Sequence, residues 1–439
     1  MTNRYQKHTN FPTLITSVPY APQLLDKLQQ YDHIALLLQG GGALGAYQAG
    51  IYEGLYNQGI SINSISGISI GALNTAIIAG NHPEDCVDAL KSFWNTITQS
   101  NYFGLGFNPF DMSLKWLNTV GQFDMMAQSM PWLVDNGLLK HQLRMLESSA
   151  EAFETALYGQ QGFFRPRHQL SFATTPNHLS YYTIDKLKDT LASHCCLDLI
   201  NRPERLQVTV SAVNVRTGNF EIFCNADQPL RFEHFMASGA LPPGFPAVEI
   251  QGEYYWDGGM VSNTPLNEIL NHEEHLNQLI FQVDLWDAKG IVPENMLEID
   301  ERIKDIQYSS KTRMITDLMK QKLEYNRMIN QLVDVIQNTP DCIKTPAHKE
   351  LLKHACQFTQ VGVKNVIQLI YHSKSYQKGY KDYEFSRKTM LDHWQSGLED
   401  IQSTFAYPQW FDMPEDDEIF ITHDIHRKRR ELSQAGRQR

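Results

Sequence analysis

The sequence has few cysteines and no long hydrophobic run. Its 439 residues include six cysteines with no C-x-x-C pair, and Cys195 and Cys196 are adjacent, a poor geometry for a mutual disulfide. No apolar run approaches the roughly 18 residues of a membrane-spanning helix, and the polar segment Met1–His8 has no apolar signal-peptide core. We therefore expect free thiols and a cytoplasmic location, with peripheral contact to membranes at most.

Positive charge is also scarce. The 38 lysine and arginine residues face 49 aspartate and glutamate residues, which gives a net charge of −11. This balance argues against nucleic-acid binding through a general basic field. The sequence also lacks an H-E-x-x-H motif and any cysteine and histidine cluster with ligand spacing, so we expect no metal site.

The most informative motif present is a G-x-S-x-G pentapeptide, Gly67-Ile68-Ser69-Ile70-Gly71. It follows an apolar run that ends at Ile65 and precedes the helix-like run Ala72–Ala79. Strand, sharp turn and helix form the context of a nucleophile elbow, in which flanking glycines permit a strained turn. Ser69 would then lie at a helix N-terminus, where the helix dipole favours developing negative charge. By itself the pentapeptide also fits an ordinary glycine-rich turn.

A second glycine-rich stretch lies upstream. The apolar run His33–Leu38 predicts a buried strand, and Ala46–Asn57 predicts a helix. Between them, Gly40, Gly41 and Gly42 would expose backbone N–H groups at a helix start, where a phosphate or a tetrahedral oxyanion could bind.

Two nucleotide-binding interpretations of this loop have less support than an oxyanion site. The spacing of Gly40, Gly42 and Gly45 matches G-x-G-x-x-G, but Ser61–Ser64 offers no acidic residue for the ribose. A P-loop is excluded because no G-K-[ST] follows.

A third motif lies far downstream. Glu253–Trp256 predicts a strand that leads directly into Asp257, Gly258 and Gly259. An aspartate at a strand end with two glycines behind it is sterically uncrowded, although the same letters also fit a common D-G turn.

Taken in order, these motifs resemble the patatin-like phospholipase family. The segment Ala237–Pro246 also fits the family, and the resemblance covers roughly residues 31–290. It implies a three-layer α/β/α fold with a mostly parallel central sheet, a Ser-Asp dyad, an acyl-enzyme intermediate and no cofactor. The residues it implies for the site are Ser69 as nucleophile, Asp257 as base, the amides of Gly40, Gly41, Gly42 and Ala43 as oxyanion hole, and Gly67, Gly71, Gly258 and Gly259 as supporting glycines.

Several alternatives remain open at this stage. Leu44 stands where many family members carry arginine or lysine, which makes ester hydrolysis a firmer expectation than phospholipid preference. A Ser-His-Asp triad remains an alternative, with His234 or His178 as third member. A non-catalytic lipid-binding or scaffold protein on the same fold and an acyltransferase are further alternatives.

Further segments predict the rest of the organisation. Residues 101–139 are rich in aromatic residues and methionine and fit either a lid or acyl-chain groove or ordinary core. Leu206–Val215 and Phe220–Phe223 predict a hairpin, and we expect Leu279–Asp284 to be the last strand of the sheet. After residue 290, Glu301–Gln337 predicts a helix and Gln360–Tyr371 a buried strand or strand pair, and a final helix reaches about Phe405.

These observations give four predicted segments and one function. The segments are an N-terminal extension (1–30), a catalytic domain (31–290), a mainly helical extension (291–410), which resembles a bacterial branch of the family, and a polar tail (411–439). The tail carries an acidic run, 415–418, and a basic run, 427–430, that either contacts anionic lipids or is simply solvated. We predict a lipid acyl hydrolase whose partners are a lipid ester substrate and, transiently, a membrane or lipid-droplet surface. The oligomeric state stays open.

Overall fold

The chain folds around one nine-stranded β-sheet. The structure is a computed structural model, and the residues it describes are 11, 22–98, 138–167, 175–264, 266, 275–339, 345–359, 362–374, 377, 379–414 and 420–426. In chain order the strands are β1 (His33–Leu38), β2 (Ser64–Gly67), β3 (Arg165–Pro166), β4 (Tyr182–Thr183), β5 (Gln207–Asn214), β6 (Phe220–Cys224), β7 (Val248–Ile250), β8 (Glu253–Asp257), β9 (Gln278–Asp284), β10 (Lys364–Ile370) and β11 (Phe420–Asp424). The short strands β3 and β4 pair with each other outside the large sheet.

The large sheet is mixed but mostly parallel. Its spatial order is β11-β10-β9-β1-β2-β5-β8-β7, with β6 paired to β5. All pairings from β11 through to β5 are parallel, whereas β6, β7 and β8 join antiparallel at one end. Parallel neighbours require long crossover connections, which helices supply here.

Helices flank this sheet. In chain order the α-helices are α1 (Pro22–Leu28), α2 (Ala46–Asn57), α3 (Ile70–Ala79), α4 (Cys86–Ile97), α5 (Leu138–Tyr158), α6 (Asp185–His194), α7 (Leu197–Ile200), α8 (Phe232–Ser238), α9 (Met296–Gln337), α10 (Pro346–Thr359) and α11 (Arg387–Phe405). Every residue of β1 and β9 is buried, as expected for inner strands of a sheet covered on both faces. The predicted α/β class with a mostly parallel central sheet is confirmed, and so is the β5–β6 hairpin.

The sheet continues beyond β9. The expectation that Leu279–Asp284 is its last strand is wrong, because β10 pairs with β9 over Lys364–Ile370 and β11 pairs with β10. The buried strand predicted within Gln360–Tyr371 is therefore confirmed, and it forms part of the central sheet. The remainder of this C-terminal region is mainly helical, as predicted, and the four-segment division of the chain stays a prediction.

Some predicted features lie outside the described residues. They are residues 101–137 of the apolar insertion and the charged runs 415–418 and 427–430 of the tail. Across the helices that the structure describes, none is both long enough and apolar enough to cross a membrane.

Two glycines let α11 pack closely on α2. A Cβ atom added to Gly50 of α2 would lie 2.1 Å from the backbone carbonyl oxygen of Trp394, and one added to Gly397 would lie 2.1 Å from the carbonyl oxygen of Tyr47. Contacts this short exclude any side chain at either position. The C-terminal region is thus joined to the N-terminal helices by backbone-to-backbone packing.

We expect Gly50→Ala to destabilise the protein more than the matched variant Gly54→Ala. Both substitutions gain about 1 kcal/mol of helix propensity. An alanine at 50 must displace backbone, whereas at 54 it meets the Cγ2 methyl of Ile401, which lies 2.2 Å from the added Cβ and belongs to a side chain that can rotate. Urea unfolding should therefore give Gly50→Ala a free energy of unfolding at least about 1 kcal/mol lower than that of Gly54→Ala. Equal free energies of unfolding for the two variants would contradict this expectation and would show that α11 moves away from α2 without loss of stability.

Candidate active site

The predicted elbow is formed between β2 and α3. Ser69 is the residue before α3 and has φ 57° and ψ −125°, a conformation rarely adopted by residues other than glycine. Its backbone N–H donates to both the carbonyl oxygen and the Oγ of Ser238, each at 3.1 Å. These bonds hold the strained turn and place the Ser69 side chain at the start of a helix.

The two glycines of the elbow are required by close packing. A Cβ added to Gly67 would lie 2.3 Å from the carbonyl oxygen of Gly71, and one added to Gly71 would lie 2.2 Å from the carbonyl oxygen of Leu38. A side chain at 67 would force the turn itself open, and one at 71 would push the turn away from β1. The G-x-S-x-G pattern thus has the steric role that the sequence predicts for it.

The sheet register brings Asp257 next to Ser69. Ser69 lies two residues beyond Gly67, which pairs with Val210 of β5. Asp257 pairs with Ala212 of the same strand, two residues further along. Because β8 runs antiparallel to β5, its last residue stops at the level of the elbow.

Burial controls the chemistry of Asp257. The residue is only 2% exposed, and its Oδ1 accepts a hydrogen bond from the Gly259 N–H at 2.7 Å. Burial raises the pKa of Asp257 to about 7, although hydrogen bonds from the Ser69 side chain and from Gly259 oppose the rise. The tight turn that allows the Gly259 bond has no space for a side chain, since a Cβ at 259 would lie 3.0 Å from Oδ1 and one at Gly258 2.7 Å from the Ser211 carbonyl oxygen.

Neither candidate histidine joins this pair. His178 is exposed and interacts with Thr175 and Asn177. His234 is buried, its Nδ1 accepts the Arg231 N–H at 2.8 Å, and burial lowers its pKa. Within the described chain neither imidazole hydrogen-bonds to Ser69 or to Asp257, so a triad with these residues is not formed.

The glycine-rich loop lies directly beside Ser69. A Cβ added to Gly40 would lie 3.0 Å from the Cβ of Ser69. The Gly40 carbonyl oxygen accepts hydrogen bonds from Trp286 Nε1 at 2.8 Å and Asn263 Nδ2 at 3.1 Å. These two side chains fix the orientation of the loop.

The amides of the loop are not equivalent. Among the described residues, no group accepts a hydrogen bond from the N–H of Gly40, Gly41 or Gly42. The N–H of Ala43, in contrast, donates to the carbonyl oxygen of Asp382 at 2.8 Å. The prediction of four available amides is therefore corrected: Ala43 is already engaged, and three remain.

Ser69, Asp257 and the three glycines line one cavity of about 410 Å³. One wall is an aromatic cluster whose ring centroids lie 5.0 to 6.2 Å apart. The members of this cluster are Phe163, Phe164, Tyr182, Phe245 and Phe385. The cavity is thus polar at the Ser69 end and apolar along this wall.

Several lining residues come from the C-terminal half and were missed in the sequence. They are Trp286, Tyr308, Asp382, Tyr383 and Phe385. Tyr308 lies on α9, and the centroid of its ring is 5.0 Å from that of Trp286. Its pKa is raised to about 12 by burial and by the charges of Asp257 and Asp382. No local motif marks these residues, because only the tertiary packing of α9 and of the loop before α11 brings them to Ser69.

The described residues include no group of three or more histidine, cysteine, aspartate or glutamate side chains that could hold a metal ion.

Comparisons with known proteins agree with the sequence motifs. The family model described as patatin-like phospholipase matches residues 36–270, and a model described as patatin phospholipase matches residues 306–417. No curated protein matches the chain.

Two solved structures are similar to parts of the chain. VipD from Legionella pneumophila is 16% identical, with 84% of this chain and 67% of that chain covered and a TM-score of 0.31. ExoU of the Pseudomonas aeruginosa type III secretion system, solved in complex with SpcU, is 18% identical, with 75% of this chain and 61% of that chain covered and a TM-score of 0.24. The chain thus spans about two thirds or less of the length of each.

Proposed function

The chain belongs to the patatin-like phospholipase family, and on that basis we propose that it is a serine acyl hydrolase that cleaves carboxylic ester bonds of lipids. The observation that carries this proposal is the meeting of Ser69, Asp257 and unpaired backbone amides at one end of a cavity with an aromatic wall. Each component supplies one requirement of acyl transfer.

Asp257 is the proposed general base. A free aspartate has a pKa of about 3.9 and is a weak base near neutral pH. Burial raises the pKa of Asp257 to about 7, which matches a base that must accept the Ser69 proton and later release it. The proton would move from Ser69 Oγ to the Asp257 carboxylate as Oγ attacks the ester carbonyl.

The glycine-rich loop is the proposed oxyanion hole. The tetrahedral intermediate carries a negative oxygen, and backbone N–H groups that are already oriented stabilise it by roughly 3 kcal/mol per donor. The unpaired N–H groups of Gly40, Gly41 and Gly42 are the available donors, and Gly40 lies against Ser69. The positive end of α3 adds to the same effect.

The second half of the proposed reaction regenerates the enzyme. When the tetrahedral intermediate collapses, the alcohol leaves with the proton held by Asp257, and the acyl group stays on Ser69. Asp257 then takes a proton from a water molecule that attacks the acyl-enzyme, and it passes this proton to Ser69 Oγ as the bond between Oγ and the acyl carbon breaks and the fatty acid leaves. No cofactor enters this sequence of steps.

The aromatic wall supports a lipid acyl chain as the group bound next to Ser69. Phe163, Phe164 and Phe245 offer a surface that suits methylene groups, since pockets for such ligands are mostly apolar with few polar groups. We propose that the substrate is a phospholipid, lysophospholipid or neutral lipid ester taken from a membrane or lipid-droplet surface.

A fluorophosphonate probe tests this proposal directly. Such a probe reacts with an activated serine, so we expect stoichiometric labelling that peptide mapping places on Ser69. A panel of phospholipid, lysophospholipid and acylglycerol substrates should then show release of fatty acid. Absence of both labelling and release would contradict the enzyme proposal and favour a non-catalytic lipid-binding protein.

The unlabelled, active enzyme distinguishes a hydrolase from an acyltransferase. Both pass through an acyl-enzyme, and they differ in whether water or an alcohol attacks it. With glycerol or a lysolipid present, a hydrolase releases mainly free fatty acid, whereas an acyltransferase forms mainly the new ester.

A further inference from the structure

The C-terminal region holds the glycine-rich loop through three residues, Lys304, Asp382 and His393, which we call the C-terminal clamp. Asp382 precedes α11, Lys304 lies on α9 and His393 lies within α11. All three are distant in sequence from the loop that they hold. Asp382 and His393 contact the backbone of Ala43 directly, and Lys304 holds Asp382 in place.

The first contact is made by Asp382. Its carbonyl oxygen accepts the Ala43 N–H at 2.8 Å, and a Cβ added to Gly42 would lie 2.0 Å from the same oxygen. Gly42 has a φ of +56°, so this close approach and the left-handed backbone both require glycine. The orientation of the peptide units next to Gly41 is thereby set from outside the loop.

The second contact fixes Asp382 itself. Lys304 Nζ donates to both carboxylate oxygens of Asp382, at 2.7 and 2.9 Å, and to the Gly379 carbonyl oxygen at 2.9 Å. The ion pair is shielded, since the two side chains are 30% and 22% exposed. A charged pair of this geometry restrains the short segment between Gly379 and Asp382 more firmly than a neutral bond would.

The third contact comes from His393, which is fully buried. Its Nδ1 lies 3.1 Å from the Ala43 carbonyl oxygen and its Nε2 2.6 Å from Gln377 Nε2. Since a carbonyl oxygen only accepts, Nδ1 carries the proton and Nε2 accepts from Gln377. Gln377 is fixed in turn, because its Oε1 accepts from the Tyr371 hydroxyl at 2.7 Å and from the Lys374 N–H at 3.0 Å.

We propose that the C-terminal clamp positions the backbone amides of Gly41 and Gly42 for the tetrahedral intermediate, so that Lys304, Asp382 and His393 are positioning residues for catalysis. The clamp holds both the N–H and the C=O of Ala43, while Trp286 and Asn263 hold the Gly40 carbonyl oxygen on the other side. Of the three unpaired amides, those of Gly41 and Gly42 lie between these two anchors. This inference rests on the acyl hydrolase function proposed above.

The variant Lys304→Met tests the clamp, because methionine keeps the aliphatic stem and removes the ion pair. Loss of one oxyanion donor costs about 10² to 10³ in kcat, so we expect a loosened loop to lower kcat by about 10-fold to 100-fold. KM should stay within about twofold, and the inhibition constant of an alkyl trifluoromethyl ketone, which forms the tetrahedral adduct, should rise in the same proportion as kcat falls. Enzyme concentration is set by titration with fluorophosphonate, so that an unfolded fraction does not count as lost activity.

Controls separate positioning from general stability. Lys388→Met removes a more exposed ion pair of α11, Lys388 to Glu147 at 2.5 Å, and should leave kcat and inhibitor affinity unchanged. Lys304→Arg keeps a bidentate cation and should restore most of the activity. Asp382→Asn should lower kcat like Lys304→Met, and the double variant should lose little more than either single one.

Amide hydrogen exchange tests the C-terminal clamp independently of catalysis. In Lys304→Met the Ala43 amide should exchange about 10-fold faster than in the wild type, because its acceptor is no longer fixed. Unchanged exchange, or faster exchange with wild-type kcat, would overturn the inference. A wild type with no label on Ser69 would instead defeat the proposed function, and the exchange measurement keeps the two failures apart.

Discussion

Ser69→Ala is expected to abolish ester hydrolysis, with kcat lowered by at least about 10³-fold. Alanine removes the only atom that forms the acyl-enzyme and leaves the backbone turn unchanged, since both residues carry a Cβ. The amides and the aromatic wall remain in place, so apolar ligands should still bind. The measurement is release of fatty acid from a medium-chain ester, with fluorescent fatty-acid binding as the test of an intact cavity.

Ser66→Ala is the matched control. Ser66 lies three residues upstream in the same segment, is buried, and its Oγ has no hydrogen-bond partner among the described residues. Removing this hydroxyl should leave kcat unchanged and should not lower the free energy of unfolding. Hydrolysis that survives Ser69→Ala, or that disappears equally in Ser66→Ala, would contradict Ser69 as nucleophile.

Asp257→Asn is the second variant with a large expected effect, because the amide cannot accept the Ser69 proton. We expect kcat at pH 8 to fall by at least about 10³-fold. In the wild type only the ionised carboxylate is a base, so kcat should rise with pH through an apparent pKa near 7 and level off above it. The residual activity of the variant should lack this titration.

The same substitution should stabilise the protein at alkaline pH. The pKa of Asp257 is about 7 in the folded protein, against an ordinary value of 3.8, so the folded state binds the proton more tightly than the unfolded state does. Stability from this group is therefore full below pH 3.8, is lost as the pH rises from there through about 7, and changes no further at higher pH. The asparagine side chain carries no charge, so the free energy of unfolding of Asp257→Asn should exceed that of the wild type by up to about 4 kcal/mol at pH 8 and by much less near pH 4.

Asp284→Asn is the control for this linkage. Asp284 is also buried with a pKa raised to about 7 by burial, and its Oδ2 accepts from Gln282 Nε2 at 2.8 Å. It lies at the end of β9 outside the cavity lining, so Asp284→Asn should show the stability gain at pH 8 and retain kcat. Urea unfolding at pH 4 and pH 8 measures both. An Asp257→Asn protein that is no more stable than the wild type at pH 8 would show that the buried carboxylate is better solvated than its surroundings indicate.

The buried carboxylate of Asp257 and the strained φ of Ser69 have the same energetic consequence. Both features oppose folding, and both are maintained by the surrounding packing, from the Ser238 contacts to the β5 register. Such features concentrate where a protein must hold reactive groups apart from water. Their coincidence at one cavity agrees with a site for chemistry and fits a purely structural turn less well.

The elbow could be predicted from the sequence because its contacts are mostly local. Glycine at 67 and 71 and serine at 69 define a turn whose packing involves residues a few positions apart and the end of the neighbouring strand. The Asp257 turn is local in the same sense, since the Gly259 N–H binds the carboxylate two residues before it. Through the family resemblance that they carry, these short motifs predicted the fold class, the pair Ser69 and Asp257, and the glycine-rich loop beside them.

What only the tertiary structure decided depends on contacts between distant segments. The raised pKa of Asp257 follows from its burial. Asp257 lies next to Ser69 because β8 pairs antiparallel with β5. The engagement of Ala43 by Asp382, and the role of Tyr308 in the cavity, follow from how α9 and α11 pack against the first half of the chain. Residues so far apart along the chain leave no joint signature in one sequence, because each is selected by a partner that is adjacent only after folding.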